Sequence, residues 1–430
     1  MSINSLTKLL VLLLLPLLFT AVSCNRPTEP HAGNVTITVE DASCTEVWLA
    51  VNTGNTSLPE NFVLYENNTR KKDITLTERE TVIVIENLLP KQNYSYKLIN
   101  SNNVSNETLA TTLDTTSHNF TWQTFEFGQH SSSALYDVAI IDENNIWAVG
   151  EIYMNDSLGN PDHNAYNAVH WDGSEWKLKR IMFYTFCPQG TGSGSYPARS
   201  IFAFDNENIV ISSGSQIAFL KNGTQTRREC LPVSVNKIWG ISLNDYYIVG
   251  YGGGIAHWNG SSWKKIESGT TTNINDVWGI IDPITQVKKI FCAVSFVFTV
   301  GDYKILTISG SNNVDSLNWN TGRRVHTIWT KDGYRFFVGG GGVFTNKKQL
   351  WEEITELPLY YSRNIRGRNL NDIFVVGDFG WRAHFNGETW KVYEQLATQP
   401  DLLYSQQLTN NMLITVGERG NKAMIVVGRR

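Results

Sequence analysis

The sequence predicts an all-β protein in which a small β-sandwich precedes a seven-bladed β-propeller. Three observations support this fold class. Short alternating strands recur about every ten residues between positions 34 and 115, an apolar strand ending in Gly recurs through the remainder, and one hairpin phrase is written three times. Aromatic residues make up 12% of the chain and Gly contributes 34 residues, a composition typical of strands joined by many turns.

Residues 1–23 are predicted to be a lipoprotein signal peptide, and residues 24–33 a polar tether. One Lys precedes the apolar run Leu9–Phe19, and the run leads into "AVSC", which resembles a bacterial lipobox. The resemblance implies that Cys24 carries the lipid, so that the protein is anchored in the cell envelope, on the outer membrane or the cell surface. An ordinary cleaved signal with an incidental cysteine is the alternative. Cys187 and Cys230 are candidates for a disulfide in an oxidising compartment, which the sequence leaves open.

Residues 34–117 are predicted to form the sandwich. The segment "LLPKQNY", with Leu88, Pro90 and Tyr94, resembles the tyrosine corner of fibronectin type III domains, and Trp48 suits the buried aromatic residue of the second strand. The resemblance implies a spacer or docking module, with no catalytic residues of its own.

Residues 119–430 are predicted to form the propeller. The apolar strand ending in Gly appears most clearly as "IWAVG", "YIVG", "FFVG", "IFVVG" and "LITVG", and two degenerate copies bring the count to seven. Residues 128–430 divided by seven give about 43 residues each, the size of a four-stranded blade. The hairpin phrase appears as "HWDGSEW" (170–176), "HWNGSSW" (257–263) and "HFNGETW" (384–390), where Asn-Gly or Asp-Gly favours a tight turn before the outer strand.

The last repeat contains only three strands. Its missing outer strand is predicted upstream, at "FTWQTFEFG" (120–128), which resembles the outer strand "SSWKKIESG" and carries Trp122 at the Trp position. We therefore expect this strand to complete the final blade and to remove an exposed sheet edge.

The quoted motifs together resemble bacterial cell-envelope lipoproteins that carry a fibronectin type III-like domain before a kelch- or BNR-like propeller. The resemblance implies surface binding or envelope scaffolding and leaves the ligand undefined.

The loops expected on one face of the ring are rich in aromatic residues and Arg. Flat rings stack on sugars or side chains, and guanidinium groups bind carboxylates, so these loops are predicted to bind a glycan or protein ligand. The candidate ligand-binding residues are Tyr196, Arg199, Trp319, Arg323, Tyr361, Arg363, Asp378, Trp381, Arg382 and Arg419.

These features favour a lipid-anchored binding protein over an enzyme. The alternatives are a carbohydrate-active hydrolase or lyase on the same face, with Asp378, Glu418 and Glu151 as rim carboxylates, and a structural envelope scaffold. A net charge of -4 gives no indication of a nucleic-acid partner. No cofactor is expected, and no metal, because His170, His257 and His384 occupy equivalent places on different blades and rotation keeps them apart.

Overall fold

A computed structural model describes residues 31–32, 35–187, 192–282, 286–297, 301–310, 312–347, 350–397 and 401–430. The predicted signal peptide, Cys24 and most of the predicted tether lie outside the described residues. Helix in the described part of the chain is limited to two 3₁₀ turns, Tyr251–Gly253 and Glu394–Leu396, and neither is long enough to span a membrane.

Nine strands precede the repeats and form two sheets. One sheet has the order β1-β8-β7-β4-β5 with β9 also on β7, and the other has the order β2-β3-β6. Trp48 and Leu88 are buried, and the half-buried ring of Tyr94 stacks on Tyr96 with centroids 6.3 Å apart. The strands are β1 (His31–Ala32), β2 (Thr36–Ala42), β3 (Val47–Asn52), β4 (Glu60–Glu66), β5 (Thr69–Leu76), β6 (Glu80–Ile85), β7 (Asn93–Ile99), β8 (Asn103–Val104) and β9 (Thr108–Thr111).

The chain divides into two compact units. The first contains the described residues up to Thr38 together with Ala50–Ile83 and Tyr94–Leu109, and the second contains Val39–Leu49, Val84–Asn93 and Ala110–Arg430. Within the second unit, Lys331 pairs with Asp41 at 2.6 Å and Arg335 pairs with Glu46 at 3.0 Å. These ion pairs join the segment Val39–Leu49 to the repeats of its own unit.

The repeats form seven four-stranded antiparallel sheets, which we call blades 1 to 7. A two-stranded hairpin, β15–β16, lies between the first two. In chain order the strands are β10 (Thr121–Phe127); blade 1, β11 (Ala134–Asp142), β12 (Asn145–Ile152), β13 (Tyr166–Trp171), β14 (Trp176–Lys179); β15 (Phe183–Tyr184) and β16 (Ser193–Gly194); blade 2, β17 (Ser200–Ala203), β18 (Asn208–Ser213), β19 (Gln216–Lys221), β20 (Thr224–Cys230); blade 3, β21 (Lys237–Ser242), β22 (Asp245–Val249), β23 (Ile255–Trp258), β24 (Trp263–Ile266); blade 4, β25 (Ile274–Ile281), β26 (Lys288–Val294), β27 (Lys304–Ser309), β28 (Asn313–Leu317); blade 5, β29 (Val325–Thr330), β30 (Phe336–Gly340), β31 (Gly342–Lys347), β32 (Leu350–Glu353); blade 6, β33 (Ser362–Asn369), β34 (Asp372–Gly377), β35 (Arg382–Phe385), β36 (Trp390–Val392); and blade 7, β37 (Leu402–Leu408), β38 (Met412–Arg419) and β39 (Lys422–Arg429).

The blades close into a ring. Each blade's first strand contacts the first strand of the next blade, and β37 of blade 7 contacts β11 of blade 1. The outer strand of blade 7 is β10, which pairs antiparallel with β39 from Thr121 opposite Arg429 to Phe127 opposite Ala423. The first and last strands of the ring are therefore held in one sheet, which leaves β39 paired on both sides.

The repeated hairpin phrase has one structural role in three blades. In blade 3, His257 stacks on Tyr247 at 4.2 Å, and its Nε2 lies 2.8 Å from Asp245 Oδ1. The side-chain oxygen of Asn259 accepts hydrogen bonds from the Ser261 and Ser262 amides of the same turn, and Gly260 has a φ of 90°, which is why Asn-Gly is used. The same stacking and polar contact recur for His170 with Trp147 and Asn145, and for His384 with Phe374 and Asp372.

Candidate binding site at the channel mouth

The first strands of blades 1, 4, 5, 6 and 7 carry a β-bulge near the start. In blade 1 the pairing register shifts between Leu135 and Asp137, so that Tyr136 is the extra residue. A bulge bends the strand and redirects a side chain, so two consecutive residues here face the channel. Equivalent register shifts leave Asn275, His326, Arg363 and Tyr404 as the extra residues of blades 4 to 7.

The Gly that ends the repeated apolar strand makes this bulge possible. A Cβ on Gly377 would lie 1.9 Å from the Tyr361 carbonyl oxygen, and a Cβ on Gly417 would lie 1.8 Å from that of Leu402. No side chain fits at such distances, so the close backbone approach requires Gly. Gly150, Gly250 and Gly340 are in the same position in their blades, and Gly340 is the residue after the Gly of "FFVG".

The bulges build a polar mouth at one end of the channel. Its cavity has a volume of about 210 Å³. The residues that directly follow several mouth residues in the chain form the floor of the cavity. They include Asp137, Lys237, Asp276 and Asn364. Seven side chains, one from each blade, form the mouth ring: Tyr136, Arg199, Asn236, Asn275, His326, Arg363 and Tyr404.

Two buried carboxylates close the floor. Asp276 of blade 4 accepts hydrogen bonds from Arg366 of blade 6 at 2.6 and 2.8 Å, and from Thr327 of blade 5 at 2.7 Å. Burial acts to raise the pKa of Asp276, but the Arg366 guanidinium outweighs it, and the net effect is a lowered pKa.

The second carboxylate, Asp137 of blade 1, binds side chains of blades 2, 3 and 7. It accepts from Lys237 of blade 3 at 2.6 Å, from Ser405 of blade 7 at 2.7 Å and from Ser200 of blade 2 at 2.9 Å. Between them, the two aspartates connect all seven blades, and both are fully engaged within the protein.

The cations of the mouth differ in how they are compensated. Arg363 pairs with Asp378, and its guanidinium also lies 5.0 Å from the Tyr404 ring. Arg199 lies over the Tyr136 ring at 4.7 Å, and among the described residues it has no carboxylate partner. Arg199 is therefore a cation held in place by an aromatic ring and open to an incoming anion.

The remaining polar groups of the mouth are neutral or acidic. The Tyr136 hydroxyl donates to Glu151 at 2.5 Å, and Glu418 interacts with Tyr404. The Tyr361 hydroxyl lies 3.2 Å from His326 Nδ1, and burial lowers the pKa of His326 to about 3. His326 is thus a neutral hydrogen-bonding group at physiological pH.

The rim carboxylates pair with phenols. Burial raises the pKa of Tyr404 to about 12, and burial with the nearby Glu151 also raises the pKa of Tyr136. Burial likewise raises the pKa of Glu418. The phenols therefore stay protonated at physiological pH and donate hydrogen bonds to the glutamates.

Four of the residues predicted from the loops meet at the mouth. Arg199 and Arg363 line the cavity, Asp378 pairs with Arg363, and Tyr361 contacts His326. Arg199 comes just before the first strand of blade 2, as Asn236 does before that of blade 3, whereas Arg363 lies inside the first strand of blade 6.

Other predicted residues lie elsewhere. Trp381 and Arg382 are each 1% exposed, because the tight turn before β35 directs them into the blade, and this burial removes them from the candidate site. Arg419 is bound to Asp401 and Glu126.

The last three predicted residues are at the surface but do not line the cavity. Trp319 packs on Trp351 and donates to the Arg323 carbonyl at 2.8 Å, and Arg323 lies 3.8 Å from Glu353. Tyr196 is 38% exposed.

Five of the mouth-ring residues were not predicted from the sequence. A detectable signal was present, because every mouth-ring residue directly precedes one equivalent position near the start of its blade's first strand. From blade 1 to blade 7 that position is occupied by Asp137, Ser200, Lys237, Asp276, Thr327, Asn364 and Ser405. Aligning the seven first strands on that position brings the missed residues into one column: Tyr136, Asn236, Asn275, His326 and Tyr404.

The long loop between blades 1 and 2 contains a disulfide-bonded cysteine. Cys187 forms a disulfide with Cys230 at the end of β20. The same loop ends at Arg199 of the mouth ring.

Comparisons with known proteins support the fold. No protein-family model and no curated protein matches the sequence. The solved structure described as YCF48 bound to D1 peptide is similar over 74% of this chain and 99% of its own, with 14% identity and a TM-score of 0.54. YCF48 from Cyanidioschyzon merolae is similar over 72% of this chain and 98% of its own, with 13% identity and a TM-score of 0.49. The first likeness shows the fold, a β-propeller.

Proposed function

We propose that the channel mouth binds a protein segment that carries a carboxylate. The observation that carries this proposal is the uncompensated guanidinium of Arg199, which the Tyr136 ring holds beside a polar cavity. A carboxylate accepts paired hydrogen bonds from a guanidinium, which makes Arg the side chain best suited to recognise it.

The size and lining of the cavity favour a protein over a glycan. At about 210 Å³ it is smaller than the roughly 300–1,000 Å³ of pockets that enclose whole small ligands, so it suits one or two side chains or a chain end. Asn236 and Asn275 donate from their amide nitrogens to the Ile274 and Ser295 carbonyls at 3.0 and 2.8 Å, so these carboxamides give the cavity a fixed polar wall. The similar fold of a protein described as bound to a peptide is consistent with this use of the mouth.

The proposal extends to location. We propose that Cys24 is lipidated, that the N-terminal strands act as a fibronectin type III-like spacer, and that the protein faces an oxidising compartment of the cell envelope. The signal-like N-terminus and the disulfide between Cys187 and Cys230 support this location.

Peptide binding is tested with the full chain in detergent micelles and two libraries of fluorescent ten-residue amidated peptides. The libraries are identical except that one has Asp where the other has Asn. We expect the Asp library to bind at least about tenfold tighter, and Arg199→Gln to abolish that difference. Arg228→Gln is the matched control, because Arg228 lies over the Tyr184 ring at 4.2 Å but does not line the cavity.

The alternatives give different results in the same assay. Uronic-acid oligomers that bind more tightly than every peptide, and lose affinity in Arg199→Gln, would identify a glycan site. Cleavage of those oligomers, lost in Glu418→Gln, would identify a hydrolase or lyase. Equal binding of the Asp and Asn libraries contradicts the proposed recognition and leaves a scaffold role.

The anchor is tested separately by detergent phase partitioning of the expressed chain. We expect the wild type to enter the detergent phase with the mass of an acylated N-terminal cysteine, and Cys24→Ser to remain in the aqueous phase. Unmodified Cys24 in the mature protein overturns the lipid anchor without affecting the proposed mouth.

A further inference from the structure

Three apolar side chains are exposed together on blade 6. Leu359 is 70% exposed, Tyr360 is 43% exposed and Phe379 is 39% exposed, and the rings of Tyr360 and Phe379 meet edge to face at 5.2 Å. We call these three residues the aromatic ridge. Apolar side chains exposed next to one another are a common mark of an interaction surface.

The backbone that presents Phe379 is unfavourable for that residue. Phe379 and Gly380 have φ values of 61° and 66°, and the Trp381 amide donates to the Asp378 carbonyl across the turn at 3.5 Å. Turns with two successive positive φ values prefer Asn-Gly or Gly-Gly, and a bulky residue at the first position is strained. The chain thus holds an exposed aromatic ring on a strained turn, an arrangement found mainly at functional sites.

The ridge adjoins the mouth. Asp378, the residue before Phe379, pairs with Arg363 of the mouth ring, and its amide donates to the Tyr361 carbonyl at 3.0 Å. Tyr361 follows Tyr360 in the chain and reaches His326 of the mouth ring through its hydroxyl at 3.2 Å. The ridge is therefore linked to the mouth ring twice, through Asp378 next to Phe379 and through Tyr361 next to Tyr360.

We propose that the aromatic ridge is a second anchor of the same binding surface, and that it takes a bulky apolar side chain of the segment whose carboxylate Arg199 binds. The inference rests on the proposed function of the mouth. Arg363 is already paired with Asp378, so Arg199 is the mouth cation that remains for an acidic residue of the partner. Together with the aromatic ridge, Arg199 defines a partner segment with one acidic and one large apolar residue. Aromatic contacts near the centre of an interface carry much of the binding energy.

The test uses four amidated ten-residue peptides in one Gly/Ser frame: Asp with Phe, Asn with Phe, Asp with Ser, and Asn with Ser. The two variable positions are separated by about two, four or six residues, to span extended-chain distances. Affinity for the full chain in micelles is measured by fluorescence anisotropy. At the best spacing we expect Phe to improve affinity over Ser by about tenfold or more in the Asp background.

Two protein variants separate the anchors. Phe379→Asn suits a positive φ, so the turn is retained and thermal stability is expected to rise, while the Phe-over-Ser advantage falls to about twofold or less. The Asp-over-Asn ratio is unchanged in this variant. Arg199→Gln has the opposite effect: it abolishes the Asp-over-Asn ratio and keeps the Phe-over-Ser advantage. Leu350→Ser, at a site 61% exposed on an outer strand, is the control and changes neither ratio.

Each failure has its own signature. An unchanged Phe-over-Ser ratio in Phe379→Asn, with the Asp preference intact, overturns the ridge and leaves the proposed function standing. A Phe preference that depends on Phe379, without any Asp preference, overturns the proposed function. Absence of measurable binding by all four peptides at every spacing contradicts both.

Discussion

Asp276 and Arg366 form a buried ion pair, with the two guanidinium nitrogens 2.6 and 2.8 Å from the carboxylate oxygens. The two residues belong to blades 4 and 6, so the pair spans blade 5, whose Thr327 donates to the same carboxylate. The ring is therefore joined by polar contacts at its centre as well as by apolar packing between neighbouring blades.

Breaking this pair is expected to destabilise the ring. Asp276→Asn leaves the buried Arg366 without its counter-charge, which costs about 3–5 kcal/mol of the free energy of unfolding. The double variant Asp276→Asn with Arg366→Met removes the stranded charge and recovers part of the loss. Urea unfolding followed by tryptophan fluorescence measures both effects. Asp73→Asn, at an exposed pair with Arg70, is the control, and a similar loss there contradicts the role of burial.

The glycines opposite the bulges give a second prediction. A Cβ on Gly340 would lie 2.1 Å from the Arg324 carbonyl oxygen, whereas a Cβ on the neighbouring Gly341 would lie 3.6 Å from the nearest atom. Gly340→Ala forces the bulge that carries His326 to move, and we expect a loss of about 3 kcal/mol or more in unfolding free energy. Gly341→Ala is the matched control with a small effect. Equal effects in the two variants contradict the close-approach explanation.

The repeats were predictable from the sequence because every blade has the same backbone requirements at its turns and close approaches. The Asn-Gly turn before Ser261 and the Gly at position 377 each satisfy a backbone requirement, and such requirements leave one residue type at one place. Arg199 and Arg363 were predictable because charged and aromatic residues are conspicuous in loops.

The rest of the site was not predicted because it depends on strand register, which shows only when the seven first strands are aligned with one another. Tyr136 and His326 face the channel only because a bulge interrupts the alternation of side chains, and a regular strand pattern predicts a different orientation. Conversely, Trp381 and Arg382 follow a turn of only two residues, and the strand that starts at Arg382 takes both into the blade.

A histidine pair gives a pH-dependent prediction. His384 Nε2 donates to Asp372, so its Nδ1 accepts from His118 Nδ1, which lies 2.8 Å away. Burial, assisted by His384 and Lys391, lowers the pKa of His118 to about 4 from an ordinary 6.5. The unfolded chain therefore binds this proton first, and stability falls as the pH drops from about 6.5 to about 4.

Replacing His118 with Phe is expected to flatten the decline in melting temperature between pH 7 and pH 4.5. The exposed His163→Asn is the control and leaves the slope unchanged. A slope identical to that of the wild type in His118→Phe shows that other groups carry the pH dependence.

The pairing of β10 with β39 makes the stability of the whole ring depend on a segment that precedes its first blade. Replacing residues 119–128 with a Gly/Ser linker of the same length exposes the edge of β39 and removes Trp122, whose ring covers Gly428 within 3.0 Å of a Cβ position. We expect a lower melting temperature and a single, less cooperative transition, because blade 7 contacts both of its neighbours through the ring. A synthetic peptide of residues 119–128 added in trans is expected to restore part of the stability, and a scrambled peptide to restore none. A variant with the wild-type melting temperature contradicts closure by this strand.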